Sequence, residues 1–407
     1  MIPVRAGFIP LVDSAGLVLA AELGFAEAQG LDLSLTREAS WAALADKLAV
    51  GAIDAAHLLA PMAVASKLGV GNAKPAISAL MSMSTNGNAI SLSHALYEEM
   101  LSVMPLSPGA GVADKAMALG ATIRAREVAG GPRLTFAVVH PFSPHNYELR
   151  YILATGGVDP DLDVDLVVVP PPYIVEHLEK GLIDGFCVGA PWTLVGLREG
   201  VSRVLMTKSQ IWRFGPEKVL GMRESDVEAG HETAVRLVRA VKQALEFADE
   251  PANRAEVAEV LATEACLNLD AGVIARALEG EVPVDDASDR PIEDFIVFDR
   301  FGSSFPWRSH ALWFYSQMVR WRQVEHSPAA ARLAADAYRP DVYRKAFENS
   351  DVTLPSANSK LEGALNAAAP AGSTTGRLTL AGDGFFDGRV FDPNDVPGYL
   401  AGFSRPV

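Results

Sequence analysis

Short apolar runs alternate with amphipathic stretches through the first half of the chain. Val4 to Ile9 predicts a strand, Pro10 to Ser14 a turn, and Ala15 to Gln29 a helix stopped by Gly30. Leu31 to Thr36 alternates apolar and polar positions, as a half-buried strand does. Ser40 can cap a helix over Trp41 to Val50 that Gly51 ends, and Ile53 to Leu59 follows as a strand with Pro61 near the next helix start. This βαβαβ rhythm implies a mostly parallel sheet covered on both faces.

The rhythm resumes after a break. Ile77 to Met83 and Ala89 to Leu92 predict strands around the turn Thr85-Asn86-Gly87-Asn88, and the Pro/Gly-rich segment Pro105 to Gly111 predicts a hinge. Leu134 to Val139, Leu162 to Val169 and Gly185 to Val188 predict further strands, separated by helices over His145 to Ala154 and Tyr173 to Lys180. Beyond Lys208 the period is helical, as in Glu228 to Phe247 and Ser309 to Arg322, until a small-residue linker, Ala364 to Thr375, and a Gly/Asp-rich tail. The expected class is therefore α/β, two-lobed, with a helical C-terminal extension. Its expected parts are residues 1–103 as the start of lobe 1, 104–204 as lobe 2, 205–363 as the return to lobe 1 with the helical region, and 364–407 as linker and tail. In such a fold, ligands bind outside the carboxyl ends of the strands, where loops and helix starts converge.

Composition narrows the function. Of 407 residues, 49% are hydrophobic and 21% charged, so the chain has material for a large core. Its formal net charge of -15 speaks against direct nucleic-acid binding, which needs clustered Lys and Arg, and it means that any anion site must be built locally. Cys187 and Cys266 are too few for a disulfide framework and lack zinc spacing. Met1-Ile2-Pro3-Val4 runs straight into the first strand without a basic and apolar leader, and Glu22 and Glu27 interrupt the apolar stretch that follows. The expectation is a cytoplasmic protein without membrane insertion.

Candidate chemistry is sparse. Ser40-Trp41 places a flat ring at a helix start, where free N–H groups favour an anion; a buried packing Trp explains the same residues. His145 opens a helix after Pro141-Phe142-Ser143-Pro144 and can donate to an anion or serve only as a cap. Gly189-Ala190-Pro191-Trp192 allows close backbone approach and resembles a small anion nest, though such turns also serve only to reverse the chain. Lys218, on its local sequence, reads as a surface lysine paired with Glu217. No HExxH, Walker A loop or GxSxG elbow occurs, and Gly109 and Gly111 are too few for a dinucleotide fingerprint, so no enzyme, catalytic residue, metal or cofactor is expected. Asp383-Gly384-Phe385-Phe386-Asp387-Gly388 falls short of a calcium loop.

Ordered blocks along nearly the whole chain carry a family resemblance. Gly7-Phe8-Ile9-Pro10-Leu11-Val12-Asp13-Ser14-Ala15, Ala39-Ser40-Trp41-Ala42-Ala43, Gly185-Phe186-Cys187-Val188-Gly189 and Pro216-Glu217-Lys218-Val219-Leu220-Gly221 are similar to the NrtA/CmpA-like nitrate- and bicarbonate-binding components of bacterial ABC importers, which have a type II periplasmic-binding fold. The resemblance implies an anion pocket made by Trp41, His145 and Lys218, completed by backbone at Gly189 and by Asn88, which stands where members carry Gln. It departs from the family at Ala190, where many carry Glu, and at Phe142-Ser143-Pro144, where the family has Gly-Gly-Thr. Lys218 implies nitrate or nitrite, because bicarbonate binders carry an acidic residue there. Without an export signal, the resemblance is closest to the cytoplasmic nitrate/nitrite sensor of the NasS kind, which holds an RNA-binding antitermination protein. The alternative is the solute-binding component of an ABC-type nitrate or bicarbonate importer.

Overall fold

Each α/β half closes into a sheet of its own in the computed structural model, which describes residues 1–71, 75–284 and 290–403. The strands of the first half are β1 (Ile2–Phe8), β2 (Leu31–Arg37), β3 (Ala55–Leu59), β4 (Ile77–Ser82), the short β5 (Thr85–Asn86) and β6 (Asn88–Ser93). Then come β7 (Thr135–Val138), β8 (Asp165–Val168), β9 (Gly185–Gly189), β10 (Ser202–Thr207) and β11 (Lys218–Arg223). One sheet has the order β2-β1-β3-β11-β4 and the other β10-β6-β9-β7-β8. In the first, β1 runs parallel to β2 and β3, while β11 returns antiparallel between β3 and β4. In the second, β7 is parallel to β8 and β9, and β6 is antiparallel to β9 and β10. The result is two sheet-containing lobes of the periplasmic-binding type.

The chain crosses between lobes earlier than residue 104. Strand β6 already belongs to the second sheet, so the outward passage lies between Ser82 and Asn88, and the return lies between Thr207 and Lys218. The apolar stretch Ala89 to Leu92 is buried on both faces and can serve either sheet, so periodicity could not assign it. Pro105 to Gly111 is no hinge: it joins the helices His94–Val103 and Val112–Val128, which pack on each other within the second lobe.

Backbone and side-chain bonds tie the lobes together across the cleft. The Val12 N–H donates to the Ala190 carbonyl at 2.9 Å, and Trp192 Nε1 donates to the Pro10 carbonyl at 3.1 Å. The C-terminal region is less uniformly helical than expected. After the helix Pro340–Ala346 the chain runs irregularly, with only a small hairpin, Ala369–Ala371 and Leu378–Leu380, and the helix Val396–Ala401. Nor is it a loose tail. Phe385 stacks on Trp212 with ring centres 4.5 Å apart, Phe391 is fully buried, and Tyr151 of the second lobe donates to Asp387 at 2.7 Å. Among the described residues, no helix is long and apolar enough to cross a membrane, and no cluster of His, Cys, Asp or Glu is placed to hold a metal ion.

Candidate anion site between the lobes

Local sequence explains how each side chain is presented. Ser40 Oγ accepts from the Ala43 N–H at 3.2 Å and starts the helix Trp41–Ala49, whose inward face is Trp41, Leu44 and Leu48. Ser143 Oγ accepts from the Asn146 N–H at 3.0 Å and, with Pro144 in the first turn, starts the helix Pro144–Thr155. His145 and Glu148 are three residues apart on that helix and so share one face. Asn88 opens β6 opposite Gly189, which closes β9, so the two meet at one edge of the cleft. Lys218 opens β11 opposite Leu59.

These elements bring all five expected residues to the region between the lobes. Trp41, Asn88, His145 and Lys218 are at most 1% exposed. Lys218 Nζ lies over the Trp41 ring, 5.6 Å from its centre, which is a cation–π arrangement. A Cβ on Gly189 would stand 3.7 Å from Asp13 Oδ2, the same carboxylate oxygen that Lys218 Nζ reaches at 2.8 Å. Lys218 is therefore not the surface lysine that its local sequence implied. Strand pairing on both sides of β11 buries it, and Asp13 and Glu217 hold it from two directions. The turn after Gly189 departs from an anion nest in one respect. The Ala190 N–H is already spent on the Gly87 carbonyl at 2.7 Å.

Five charged or titratable residues that sequence reasoning passed over complete the site. Asp13 lies against Lys218, and His57 Nε2 stands 3.0 Å from Asp13 Oδ1. Lys208 Nζ sits 2.5 Å from Glu148 Oε1 and 3.1 Å from Glu217 Oε1, and donates to the Pro216 carbonyl at 2.6 Å. Glu217 also accepts from Asn88 Nδ2 and pairs with Lys218. A signal existed for two of them: Asp13 is the one charged residue in the apolar run Ile9 to Ala21, and His57 the one polar residue in Ala55 to Ala60, where a polar side chain must either break the pattern or be paired.

Burial sets the electrostatics. It works to strip the proton from Lys218, but Asp13 and Glu217 outweigh it and keep the ammonium more firmly charged than an ordinary lysine. Burial pushes the Asp13 and Glu217 carboxyls up, and the neighbouring ammonium groups, with His57 helping at Asp13, more than reverse it. His145 has no such partner at contact distance. Burial lowers its pKa to about 3, against the charge of Glu217, so the ring is neutral. Several buried polar atoms find no protein partner among the described residues: Trp41 Nε1, both ring nitrogens of His145, and Asn88 Oδ1. Each such group costs about 1–3 kcal/mol when left unpaired. A neutral imidazole offers one N–H and an indole another, so the pocket presents unspent donors beside a firmly charged ammonium.

Residues 2–262 match the model of the NMT1-like family. The chain is 31% identical to the nitrate/nitrite binding protein NrtA of Synechococcus elongatus, over 98% of this chain and 85% of that protein. It is 34% identical to the nitrate import ATP-binding protein NrtC of Synechocystis sp., over 98% of this chain and 54% of that protein, so it spans about half the length of that relative. Similarity extends to the bicarbonate-binding protein CmpA of Synechococcus sp., at 29% identity over 98% of this chain and 85% of that one. The fold superposes on the crystal structure of the periplasmic nitrate-binding protein NrtA from Synechocystis PCC 6803 with a TM-score of 0.85 and 27% identity, covering 100% of this chain and 99% of the other.

Proposed function

We propose, for a chain that belongs to the NMT1-like family and to the NrtA/CmpA nitrate- and bicarbonate-binding group, that the cleft binds nitrate or nitrite and that the protein is a cytoplasmic sensor which passes this signal to an RNA-binding antitermination protein. One observation carries the ligand: Trp41 Nε1 and the His145 ring are buried donors without protein acceptors, placed around the Lys218 ammonium. A planar, weakly basic oxyanion can accept from both and share Lys218 with Asp13. Lys218, fixed as a donor, suits an anion that accepts without carrying a proton of its own.

The sensing half of the reading has its own physical support. Trp41 and Lys218 belong to one lobe and His145 to the other, so an anion between them favours the closed form. A partner that grips the open form is then released by closure, provided the two states differ in anion affinity by several kcal/mol. The surplus of 15 negative charges suits a basic partner. A second reading, the solute-binding component of an importer, is favoured by the relatives, two of which are named for nitrate import or nitrate/nitrite binding.

Two measurements test these readings. Calorimetric titration with nitrate, nitrite, bicarbonate and sulfate should show binding of the first two; heat with bicarbonate or sulfate alone would overturn the ligand assignment. Size-exclusion chromatography of the chain co-expressed with an RNA-binding antiterminator should show a complex without nitrate that separates when nitrate is added. No complex in either condition, with nitrate binding intact, leaves the importer reading.

A further inference from the structure

The pocket holds more negative charge of its own than a buried anion site can keep. Asp13, Glu148 and Glu217 are each at most 3% exposed, and they face the ammonium groups of Lys208 and Lys218. Two ammonium groups against three carboxylates leave one uncompensated negative charge. The other titratable groups facing the cluster offer no relief. His57 of β3 and His145 of the Pro144–Thr155 helix are held neutral by burial, burial keeps the Cys187 thiol of β9 protonated, and burial does the same for the Tyr338 hydroxyl. A monovalent anion added to this set puts two uncompensated charges in a space closed to water, where neither is screened.

One carboxylate is held more weakly than the others. Glu217 receives both ammonium groups and the Asn88 amide. Asp13 has Lys218 at 2.8 Å and the His57 ring at 3.0 Å. Glu148 reaches a single ammonium, that of Lys208, and shares both it and the Asn88 amide with Glu217. We propose that Glu148 is a further specificity-determining group of the anion site, taking up one proton from solvent as the anion binds. The bound anion then stands in for the charge that Glu148 gives up, and the net charge of the cluster does not change. Lys208 stays with Glu217, and Lys218 stays with Asp13. The titration agrees with this geometry: burial pushes the Glu148 carboxyl up to about 7, against the pull of Lys208 and with the charge of Glu217 adding to the rise. Such a site favours monovalent anions, since a divalent one adds a second charge that the single proton on Glu148 does not offset. His145 is three residues before Glu148 on the same helix face, so the proton and the anion arrive at one lobe together.

This inference rests on the proposed oxyanion reading, and the experiment separates the two. The full chain is titrated with sodium nitrate at several pH values, each in two buffers of contrasting ionisation enthalpy, which counts the protons exchanged. Above pH of about 7.5, wild type should take up close to one proton per nitrate, and its affinity should fall by up to about tenfold per pH unit. Glu148→Gln should exchange no proton, show a flat affinity across that range, and bind nitrate more tightly than wild type at the alkaline end. The wild-type proton count stands alone if that variant does not fold. Nitrate binding by wild type without proton uptake overturns the role of Glu148 and leaves the oxyanion reading intact. No nitrate binding at any pH overturns both.

Discussion

Two buried charge networks in this molecule look alike and are finished differently. The first is the cleft cluster. The second, in the C-terminal region, joins Lys360 to Glu362 and Asp383, with His310 beside Glu362 at 3.4 Å. There the carboxylates also take neutral donors: Ser309 Oγ donates to Glu362 Oε1 at 2.6 Å, and the Leu365 N–H donates to Asp383 Oδ1 at 2.9 Å. Backbone bonds in both directions between Glu362 and Phe391 clamp the same residues in place. Among the described residues of that network His310 Nδ1 alone lacks a partner, whereas the cleft leaves Trp41 Nε1, Asn88 Oδ1 and both nitrogens of His145 unspent. A network that serves the fold closes on itself, because every open group costs stability. A network that keeps buried donors and acceptors open around a fixed ammonium is built for something else to complete.

The widest effect should come from breaking the closed network. Glu362→Ala leaves Lys360 with Asp383 alone and strips Ser309 and His310 of their acceptor, at a cost of roughly 3–5 kcal/mol in chemical denaturation. Its nitrate affinity should stay within about twofold of wild type at temperatures where it is folded, since the ion pairs of this network do not include Asp13, Glu148, Glu217, Lys208 or Lys218. Lys218→Ala should show the reverse emphasis, weakening nitrate binding by about 1.5–3 kcal/mol in calorimetry through loss of a charge-assisted bond. Lys218→Glu should be worse, since it adds a fourth carboxylate. Unchanged nitrate affinity in both Lys218 variants would remove that residue from the site and collapse the contrast between the two networks.

The histidines sharpen the comparison through pH. His145 is held near a pKa of about 3 by burial, and the unfolded chain protonates it at its ordinary value of about 6.5. Its contribution to stability is therefore complete above about 6.5 and is lost as pH falls, by roughly 1–2 kcal/mol at pH of about 5. His310 is lowered too, burial again leading, but Glu362 opposes the shift. Urea denaturation at pH of about 7 and about 5 should show His145→Gln losing more of the wild-type acid sensitivity than His310→Gln. Equal slopes would mean that the two networks are equally closed.

Legibility followed the same division. Ser40 as a cap before Trp41, Ser143 and Pro144 before His145, and the strands flanking them are local signals, and the structure places them where the periodicity does. The passage between lobes was misread because Asn88–Ser93 is equally apolar toward either sheet, and only long-range pairing with β9 and β10 decides it. The Gly/Asp-rich tail gave no local sign that Phe385 stacks on Trp212. In the site, the resemblance supplied Trp41, Asn88, His145, Gly189 and Lys218, while the local sequence singled out neither Lys208 nor Glu148 and offered Glu217 only as a partner of Lys218. Nothing local distinguishes a buried carboxylate from an exposed one; topology alone put them between the lobes.

The smallest expected effect separates close backbone approach from chain reversal at Gly189. This glycine ends a strand, is not among the residues with positive φ, and therefore needs no conformation reserved for glycine. A Cβ there would meet Leu11 Cδ2 at 3.5 Å and Asp13 Oδ2 at 3.7 Å, both ordinary contacts. Gly189→Ala should then fold with its stability unchanged, or raised by up to about 1 kcal/mol through the stiffer unfolded chain. If the glycine matters only to the turn, nitrate affinity should not move either. If it lets the anion approach the backbone beside Asp13 and Lys218, the added methyl intrudes on that space and affinity should fall, by about 1 kcal/mol or less, with no loss of melting temperature. The pair of readouts decides the matter: a stability loss without an affinity loss places Gly189 with the closed, structural part of the molecule, and an affinity loss alone places it with the open one.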